Sequence, residues 1–154
     1  MKVLLLEDEF MLLSSIKSFL LSKNIMVDCC KSGKEAIAAT KKSDYDMYIL
    51  DINVPDLSGL DVLKRIRSKD KFTPIIIITA MIDIDTLEKA YSLGCNEYLK
   101  KPFNLRELEI RMSKLAEESE ELLVQITDHY VFDIKKNSLY YDGQLQKLTK
   151  NQNR

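Results

Sequence analysis

Five short apolar runs, each followed by a stretch of helical periodicity, restrict the possible fold of this chain more than any other feature. The runs occupy positions 3–6, 25–29, 47–50, 75–78 and 97–99. Apolar residues three or four positions apart follow each run, as in Leu13, Ile16 and Leu20. Alternation of strand and helix patterns is typical of parallel strands joined by crossover helices. We therefore predict an α/β fold with a five-stranded parallel sheet.

The composition of the runs also predicts how the sheet is built. The runs at 3–6, 47–50 and 75–78 are almost entirely apolar, as expected for strands that helices cover on both faces. The runs at 25–29 and 97–99 are more mixed, which favours places near the sheet edges. Five right-handed strand-helix units favour a doubly wound sheet of flavodoxin-like order 2-1-3-4-5.

The pattern changes after the fifth helical stretch. An acidic stretch at 117–121 precedes two short strand-like segments at 130–134 and 139–141. Asp142-Gly143 predicts a tight hairpin turn, because both residue types tolerate positive φ, and 144–148 would then form the returning strand. We predict a short antiparallel β segment here, as the start of an incomplete second domain. A complete protein with a polar tail remains the alternative.

Composition and charge exclude several classes of protein. The chain of 154 residues has a net charge of -1, with 45% hydrophobic and 31% charged residues, as soluble globular domains do. Its apolar runs are far shorter than the roughly 20 residues that cross a bilayer. We therefore expect a cytoplasmic protein without a membrane segment. One histidine and three cysteines without metal-ligand spacing argue against a zinc site and a disulfide framework.

Polar side chains follow the predicted strands at the points where the strands end. Glu7 and Asp8 follow the first, Asp51 the third and Thr79 the fourth, and Lys101 lies just past the fifth. The first and third strands are neighbours in the predicted order, so three carboxylates would converge in one crevice. Their mutual repulsion is relieved by a divalent cation, and an oxygen-only ligand set suits Mg²⁺.

This combination of side chains is suited to phosphoryl transfer. A carboxylate such as Asp51 can attack phosphorus when a cation and a lysine such as Lys101 neutralise the transferred group. The Thr79 hydroxyl can hydrogen-bond a phosphoryl oxygen. The Lys101-Pro102 bond can be cis or trans, and the sequence leaves the isomer open. Individually, Asp8 also suits a helix N-terminus and Thr79 a strand end.

Four segments together resemble the receiver domain of bacterial two-component response regulators. They are L-L-E-D-E at 5–9, L-D-I-N-V-P-D-L-S-G-L-D at 50–61, I-T-A at 78–80 and Y-L-K-K-P-F at 98–103. The resemblance covers residues 1–118 in order and spacing. It implies a protein that catalyses only its own phosphorylation and dephosphorylation and is otherwise not an enzyme.

The resemblance also implies roles for individual residues. Asp51 would accept a phosphoryl group from a sensor histidine kinase, with contacts from Thr79 and Lys101. Thr79 and Tyr98 would form the switch. The expected Mg²⁺ ligands are Glu7, Asp8, Asp51 and the backbone carbonyl of Asn53.

The tail resembles the N-terminal sheet of the winged-helix DNA-binding domain in OmpR/PhoB-type regulators. It reads Y-V-F-D-I at 130–134 and S-L-Y-Y-D-G-Q-L-Q-K-L-T-K-N-Q at 138–152. The implied organisation is a receiver at 1–118, a linker at 119–127 and an incomplete winged-helix domain at 128–154, with DNA binding only in a longer parent. The resemblance also implies a homodimer through the fourth helix, fifth strand and fifth helix, with Lys89, Glu97, Glu107 and Arg111 at the interface.

Two other functions are alternatives to the phospho-switch. The first is a Mg²⁺-dependent phosphohydrolase with an aspartyl nucleophile. Its class is marked by a D-x-D pattern, whereas the corresponding segment here is Asp51-Ile52-Asn53, with an amide in place of the second acid. The second is a receiver-like interaction module that works without phosphate, against which the intact acids, threonine and lysine argue.

Overall fold

A computed structural model of the chain describes residues 1–80, 83–120, 123–125, 129–133 and 138–146. The chain divides into two compact units, Met1–Ser113 and Lys114–Arg154. No helix among the described residues is both long enough and apolar enough to span a membrane.

The first unit contains the parallel sheet and its crossover helices. Its strands are β1 (Lys2–Leu6), β2 (Met26–Cys30), β3 (Met47–Asp51), β4 (Ile75–Thr79) and β5 (Glu97–Lys100). The helices that follow them are α1 (Phe10–Ser22), α2 (Gly33–Lys42), α3 (Gly59–Arg67), α4 (Ile84–Ser92) and α5 (Leu105–Glu120). The last helix begins in this unit and continues past its boundary.

The strand order is β2-β1-β3-β4-β5 and every neighbouring pair is parallel, which confirms the predicted fold class. The two central strands β3 and β4 are buried along their whole length, because helices cover both faces of the sheet. The edge strand β2 alternates between exposed and half-buried residues until buried Cys30. Its observed start is one residue later than the sequence predicts.

Local capping interactions fix where two of the helices begin. The Ser58 side chain accepts a hydrogen bond from the backbone N–H of Asp61, and the Asp61 carboxylate accepts one from the backbone N–H of Ser58. This reciprocal pair is a capping box, which starts α3 a few residues after β3 ends. In α2, the Ser32 side chain accepts a hydrogen bond from the backbone N–H of Glu35.

The second unit contains an antiparallel sheet of four short strands in the order β6-β7-β8-β9. They are β6 (Leu123–Gln125), β7 (Tyr130–Asp133), β8 (Ser138–Tyr141) and β9 (Gln144–Gln146). The last three correspond to the predicted β segment, and the turn between β8 and β9 has positive φ at Asp142 (45°) and Gly143 (83°), as predicted. Strand β6 was not predicted and lies within the stretch 119–127 that the sequence assigns to a linker. The polar segment 147–154 lies outside the described residues.

Candidate functional site

The acidic residues meet at the carboxyl edge of the sheet because β1 and β3 are neighbours in register. Leu6 pairs with Leu50, so the residues that follow them, Glu7 and Asp51, lie side by side. Ligand oxygens of Glu7, Asp8 and Asp51 all lie within 4.8 Å of one another. The structure therefore brings together the three carboxylates that the strand order predicts.

Lys101 supplies a positive charge in the middle of this cluster. Its Nζ atom lies 2.8 Å from Asp51 Oδ2 and 2.9 Å from Glu7 Oε2. The backbone N–H of Lys101 donates to the Thr79 carbonyl oxygen at 2.8 Å, which ties the residue to the end of β4. The Lys101-Pro102 peptide bond is cis. Lys100, the other lysine in the motif, is the exposed last residue of β5.

Burial changes the protonation chemistry of the cluster. Glu7 is completely buried. Burial of its carboxyl group, together with the adjacent Asp51, raises the pKa of Glu7 to about 7, although Lys101 opposes the shift. Burial by itself lowers the pKa of Lys101, but hydrogen bonds to Asp51 and Glu7 outweigh burial, so the pKa of Lys101 is raised. The cluster has three carboxyl groups and a single lysine, so its net charge is negative when the acids are ionised.

The cluster forms the base of an open pocket of about 230 Å³. The lining residues are Glu7, Asp8, Glu9, Asp51, Asn53, Thr79, Ala80 and Lys101. Glu7, Asp51 and Thr79 are buried at the base, while Asp8 and Asn53 are exposed at the opening. A hard oxygen donor set with excess negative charge and solvent access fits Mg²⁺, which retains several water ligands.

The loop between β3 and α3 orients the Asp51 carboxylate. The backbone N–H of Asn53 donates to Asp51 Oδ1 at 3.3 Å, while Lys101 occupies Oδ2. Two glycines hold this loop: Gly33 N–H donates to the Pro55 carbonyl oxygen at 3.1 Å and Gly59 N–H to the Ile52 carbonyl oxygen at 2.9 Å. Neither glycine was predicted as a site residue, although both stand at the first position of a helix.

The two predicted switch residues lie at different depths in the structure. Thr79 is completely buried and lines the pocket. Tyr98 lies on β5 opposite Ile77, is half-buried and packs against the main hydrophobic core. Burial raises the pKa of Tyr98. Among the described residues, Thr79 lines the pocket and Tyr98 does not.

Three of the four charges predicted at a dimer interface are paired within the chain. Arg111 Nη1 lies 2.8 Å from Glu97 Oε2, and Arg111 Nη2 lies 3.1 Å from Glu107 Oε1. The Arg111 Nε atom is buried and has no hydrogen-bond partner among the described residues. Lys89 is exposed on α4 and makes no ion pair within the described part of the chain.

Comparisons with known proteins agree with the fold and the pocket. The family model for the response regulator receiver domain matches residues 3–113. The transcriptional regulatory protein CrdR of Helicobacter pylori is 41% identical over 114 residues, which are 73% of this chain and 54% of that protein. The cell cycle response regulator CtrA of Brucella anthropi is 32% identical over 151 residues, 97% of this chain and 65% of that protein.

A solved structure of a response regulator also matches the fold of this chain. The response regulator TrrA of Thermotoga maritima, in complex with Mg²⁺ and BeF, aligns with a TM-score of 0.68 and 32% identity over 74% of this chain and 97% of that one. The chain spans just over half the length of CrdR. Receiver domains work with histidine kinases in two-component signalling and are not conventional enzymes. The match to residues 3–113 and the acidic pocket typical of a phospho-acceptor site identify this chain as a member of the response regulator receiver domain family.

Proposed function

We propose that Asp51 accepts a phosphoryl group from a sensor histidine kinase in a Mg²⁺-dependent reaction. The observation that carries the proposal is the position of Lys101 Nζ, 2.8 Å from Asp51 Oδ2 at the base of the carboxylate cluster. A lysine in that position can neutralise both the acceptor and the incoming phosphoryl oxygens.

Six of the eight residues that line the pocket have a role in this proposal. Glu7, Asp8, Asp51 and the Asn53 backbone carbonyl would hold Mg²⁺, which would neutralise charge on the transferred group. An Asp51 carboxylate oxygen attacks phosphorus, the new bond is O–P, and the P–N bond to the kinase histidine breaks. The Thr79 hydroxyl, at the buried base of the pocket, then hydrogen-bonds a phosphoryl oxygen.

The phosphoryl group adds about two negative charges at the pocket, and the proposed response is a movement of Thr79 and Tyr98. The change would favour a homodimer through the α4-β5-α5 face, where Lys89, Glu97, Glu107 and Arg111 lie. Three large apolar side chains are exposed on α4 and α5: Ile84 at 68%, Tyr91 at 45% and Ile110 at 63%. Burial of such side chains is a driving force for association.

The longer protein that we propose is a cytoplasmic OmpR/PhoB-type transcription regulator. A receiver at 1–118, a linker at 119–127 and the β part of a winged-helix domain at 128–154 would be followed by the DNA-reading helix. Two observations support this organisation. CrdR is called a transcriptional regulatory protein, and the alignment to CtrA spans 151 residues and therefore includes most of the second unit.

Intact-mass spectrometry tests the acceptor directly. Wild type, Asp51→Asn and Asp56→Asn are incubated with acetyl phosphate, with Mg²⁺ or with EDTA. Asp56 is a matched control, because it lies on the same loop and its positive φ of 70° suits asparagine. We expect one added phosphoryl group in wild type and Asp56→Asn, only with Mg²⁺. No gain in any folded sample would instead favour the alternative, a phosphate-independent interaction module.

Sedimentation with the phosphoryl mimic BeF₃⁻ tests the dimer face. We expect the wild type to dimerise with Mg²⁺ and BeF₃⁻, and Arg111→Gln to dimerise less, since it cannot pair with a carboxylate of the second copy. Arg106→Gln, on the exposed side of the same helix, is the control. Equal dimerisation of both variants would exclude Arg111 from the interface.

A further inference from the structure

We propose that a second pocket, between the carboxyl-terminal ends of α2 and α3, binds a small organic anion with an apolar body. The pocket has a volume of about 710 Å³. This is within the roughly 300–1,000 Å³ typical of small-molecule sites. It lies near the start of β3, with Tyr48 in its lining, whereas the acidic pocket lies at the end of that strand. Tyr48 and Asp51 are three residues apart, about 10 Å along a strand.

The floor of the pocket is apolar and belongs to the main core. Ile37 of α2, Tyr48 of β3 and Ile66 of α3 line it, with exposed fractions of 9%, 5% and 5%. These side chains are held by packing in the core, so the floor is preformed. A flat or branched apolar group could contact all three of them.

Tyr48 offers a hydrogen-bond donor to a molecule in the pocket. Its side chain is almost completely buried, yet its hydroxyl group makes no hydrogen bond to any residue in the described part of the chain. The hydroxyl oxygen itself is open to the pocket, so water or a bound molecule can accept the hydrogen bond that the protein does not provide. An acceptor atom on a bound molecule would satisfy the Tyr48 hydroxyl.

The charges around the pocket favour an anion. Lys41, Arg65 and Lys69 line it, and none of the three makes an ion pair among the residues that the structure describes. Two acids also line it, but the Asp70 oxygens already accept hydrogen bonds from Phe72 N–H, Thr73 N–H and the Thr73 hydroxyl. The lining thus carries three cations against two carboxylates, Asp44 and Asp70, which leaves a net charge of +1.

The helix dipoles explain only part of this arrangement. Lys41 lies in the last turn of α2 and Arg65 in the last turn of α3, where positive charge is favourable. That effect accounts for basic residues at both helix ends. It does not account for a ligand-sized cavity between the ends that has the Tyr48 hydroxyl in its lining.

A pair of fluorescent probes of similar shape and different charge tests the proposal on the chain of residues 1–154. The anionic probe is 1-anilinonaphthalene-8-sulfonate, and the uncharged probe is N-phenyl-1-naphthylamine. We expect saturable binding of the anion at one site. The double variant Arg65→Gln/Lys69→Gln should lower the affinity for the anionic probe by about tenfold, because one or two charge-assisted contacts are lost. Binding of the uncharged probe should be unchanged.

The control carries the same loss of charge elsewhere. Lys64→Gln/Arg106→Gln removes one lysine and one arginine that are exposed and do not line the pocket. This variant should bind the anion as wild type does. If both double variants lower the affinity for the anionic probe equally, the effect is one of net charge and the proposal is wrong.

Tyr48→Phe separates a binding role from a structural one. The lost hydroxyl has no hydrogen-bond partner in the described protein, so the melting temperature should not fall, whereas affinity for the anion should drop by about threefold or more. Amide chemical-shift changes on titration should centre on residues 37–48 and 65–70. Changes centred on other surfaces, or unchanged affinity in Tyr48→Phe, would overturn the proposal.

Discussion

Gly59 lies directly against the backbone of Asp51: a Cβ atom at position 59 would be 2.0 Å from the Asp51 carbonyl oxygen. Real Cβ atoms do not come this close to backbone oxygen, so any larger residue must displace one of the two segments. The first turn of α3 and the end of β3 are therefore packed as tightly as two backbones can be. The position of the proposed phospho-acceptor depends on this contact.

Gly59→Ala should move Asp51 away from Lys101. We expect the free energy of unfolding to fall by about 1–3 kcal/mol, as for overpacked core positions. The rate of phosphorylation by acetyl phosphate should fall by about tenfold or more, because misplaced reacting groups lose proximity. Urea denaturation and intact-mass kinetics measure the two effects.

Gly143→Ala is the control for this substitution. An added Cβ there would contact nothing within 4 Å, and only the positive φ of 83° opposes it. We expect Gly143→Ala to lower the free energy of unfolding by about 1 kcal/mol and to leave the rate of phosphorylation unchanged. Equal effects of the two alanine variants would contradict the steric explanation.

Lys101→Gln should separate metal binding from phosphoryl transfer. Removal of the cation between Glu7 and Asp51 leaves their charge unopposed, so Mg²⁺ affinity should rise, as measured by calorimetry. Phosphorylation should slow by about 100-fold, the effect of losing one electrostatic contact in a transition state. Lys100→Gln, the exposed neighbour, should change neither. A fall in Mg²⁺ affinity in Lys101→Gln would refute this account.

The stability of the Mg²⁺-free protein should depend on pH through Glu7. The pKa of Glu7 is raised from 4.5 to about 7, so between these values the folded state binds more protons than the unfolded state. The free energy of unfolding should therefore fall as pH rises through this window, by up to about 3 kcal/mol. Urea denaturation in EDTA at pH 5 and pH 7.5 measures the change. Glu7→Gln should remove this dependence, and Glu9→Gln should retain it.

Arg67 should stabilise the first unit through contacts with two loops. Its guanidinium group donates to the Gly94 carbonyl oxygen at 2.9 Å, the Asp70 carbonyl oxygen at 3.0 Å and the Asn96 Oδ1 atom at 3.0 Å. Lysine cannot reproduce this planar set of donors. We expect Arg67→Lys to lower the free energy of unfolding by about 2–4 kcal/mol, while Arg106→Lys changes it little. Equal stability of both variants would exclude this role.

The sequence was sufficient to predict the sheet and the cluster of acids. Strands β3 and β4 are fully buried, so their apolar runs are continuous and easily recognised. Because the carboxyl ends of parallel strands share one edge, the strand order alone brings Asp51 next to Glu7. The hairpin turn at Asp142-Gly143 was predictable because few residue pairs accept positive φ at both positions.

Other features depend on three-dimensional contacts that have no local pattern. Two of the three partners of Arg67, Gly94 and Asn96, lie 27 and 29 positions away in the chain. The Gly94 and Asp70 acceptors are backbone carbonyls, which any residue provides. The pocket beside Tyr48 arises from the separation of two helices. Strand β6 has only three residues, too few to give a periodic pattern.

The contact between Lys101 and Glu7 joins residues that are 94 positions apart. During synthesis every acid of the pocket emerges long before the lysine that neutralises them. A nascent chain that stops short of residue 101 therefore carries a cluster of negative charge without its cation, and the closing of this pair has to wait for the last strand of the sheet. Completion of the acidic pocket and completion of the parallel sheet are thus one event in the life of the chain.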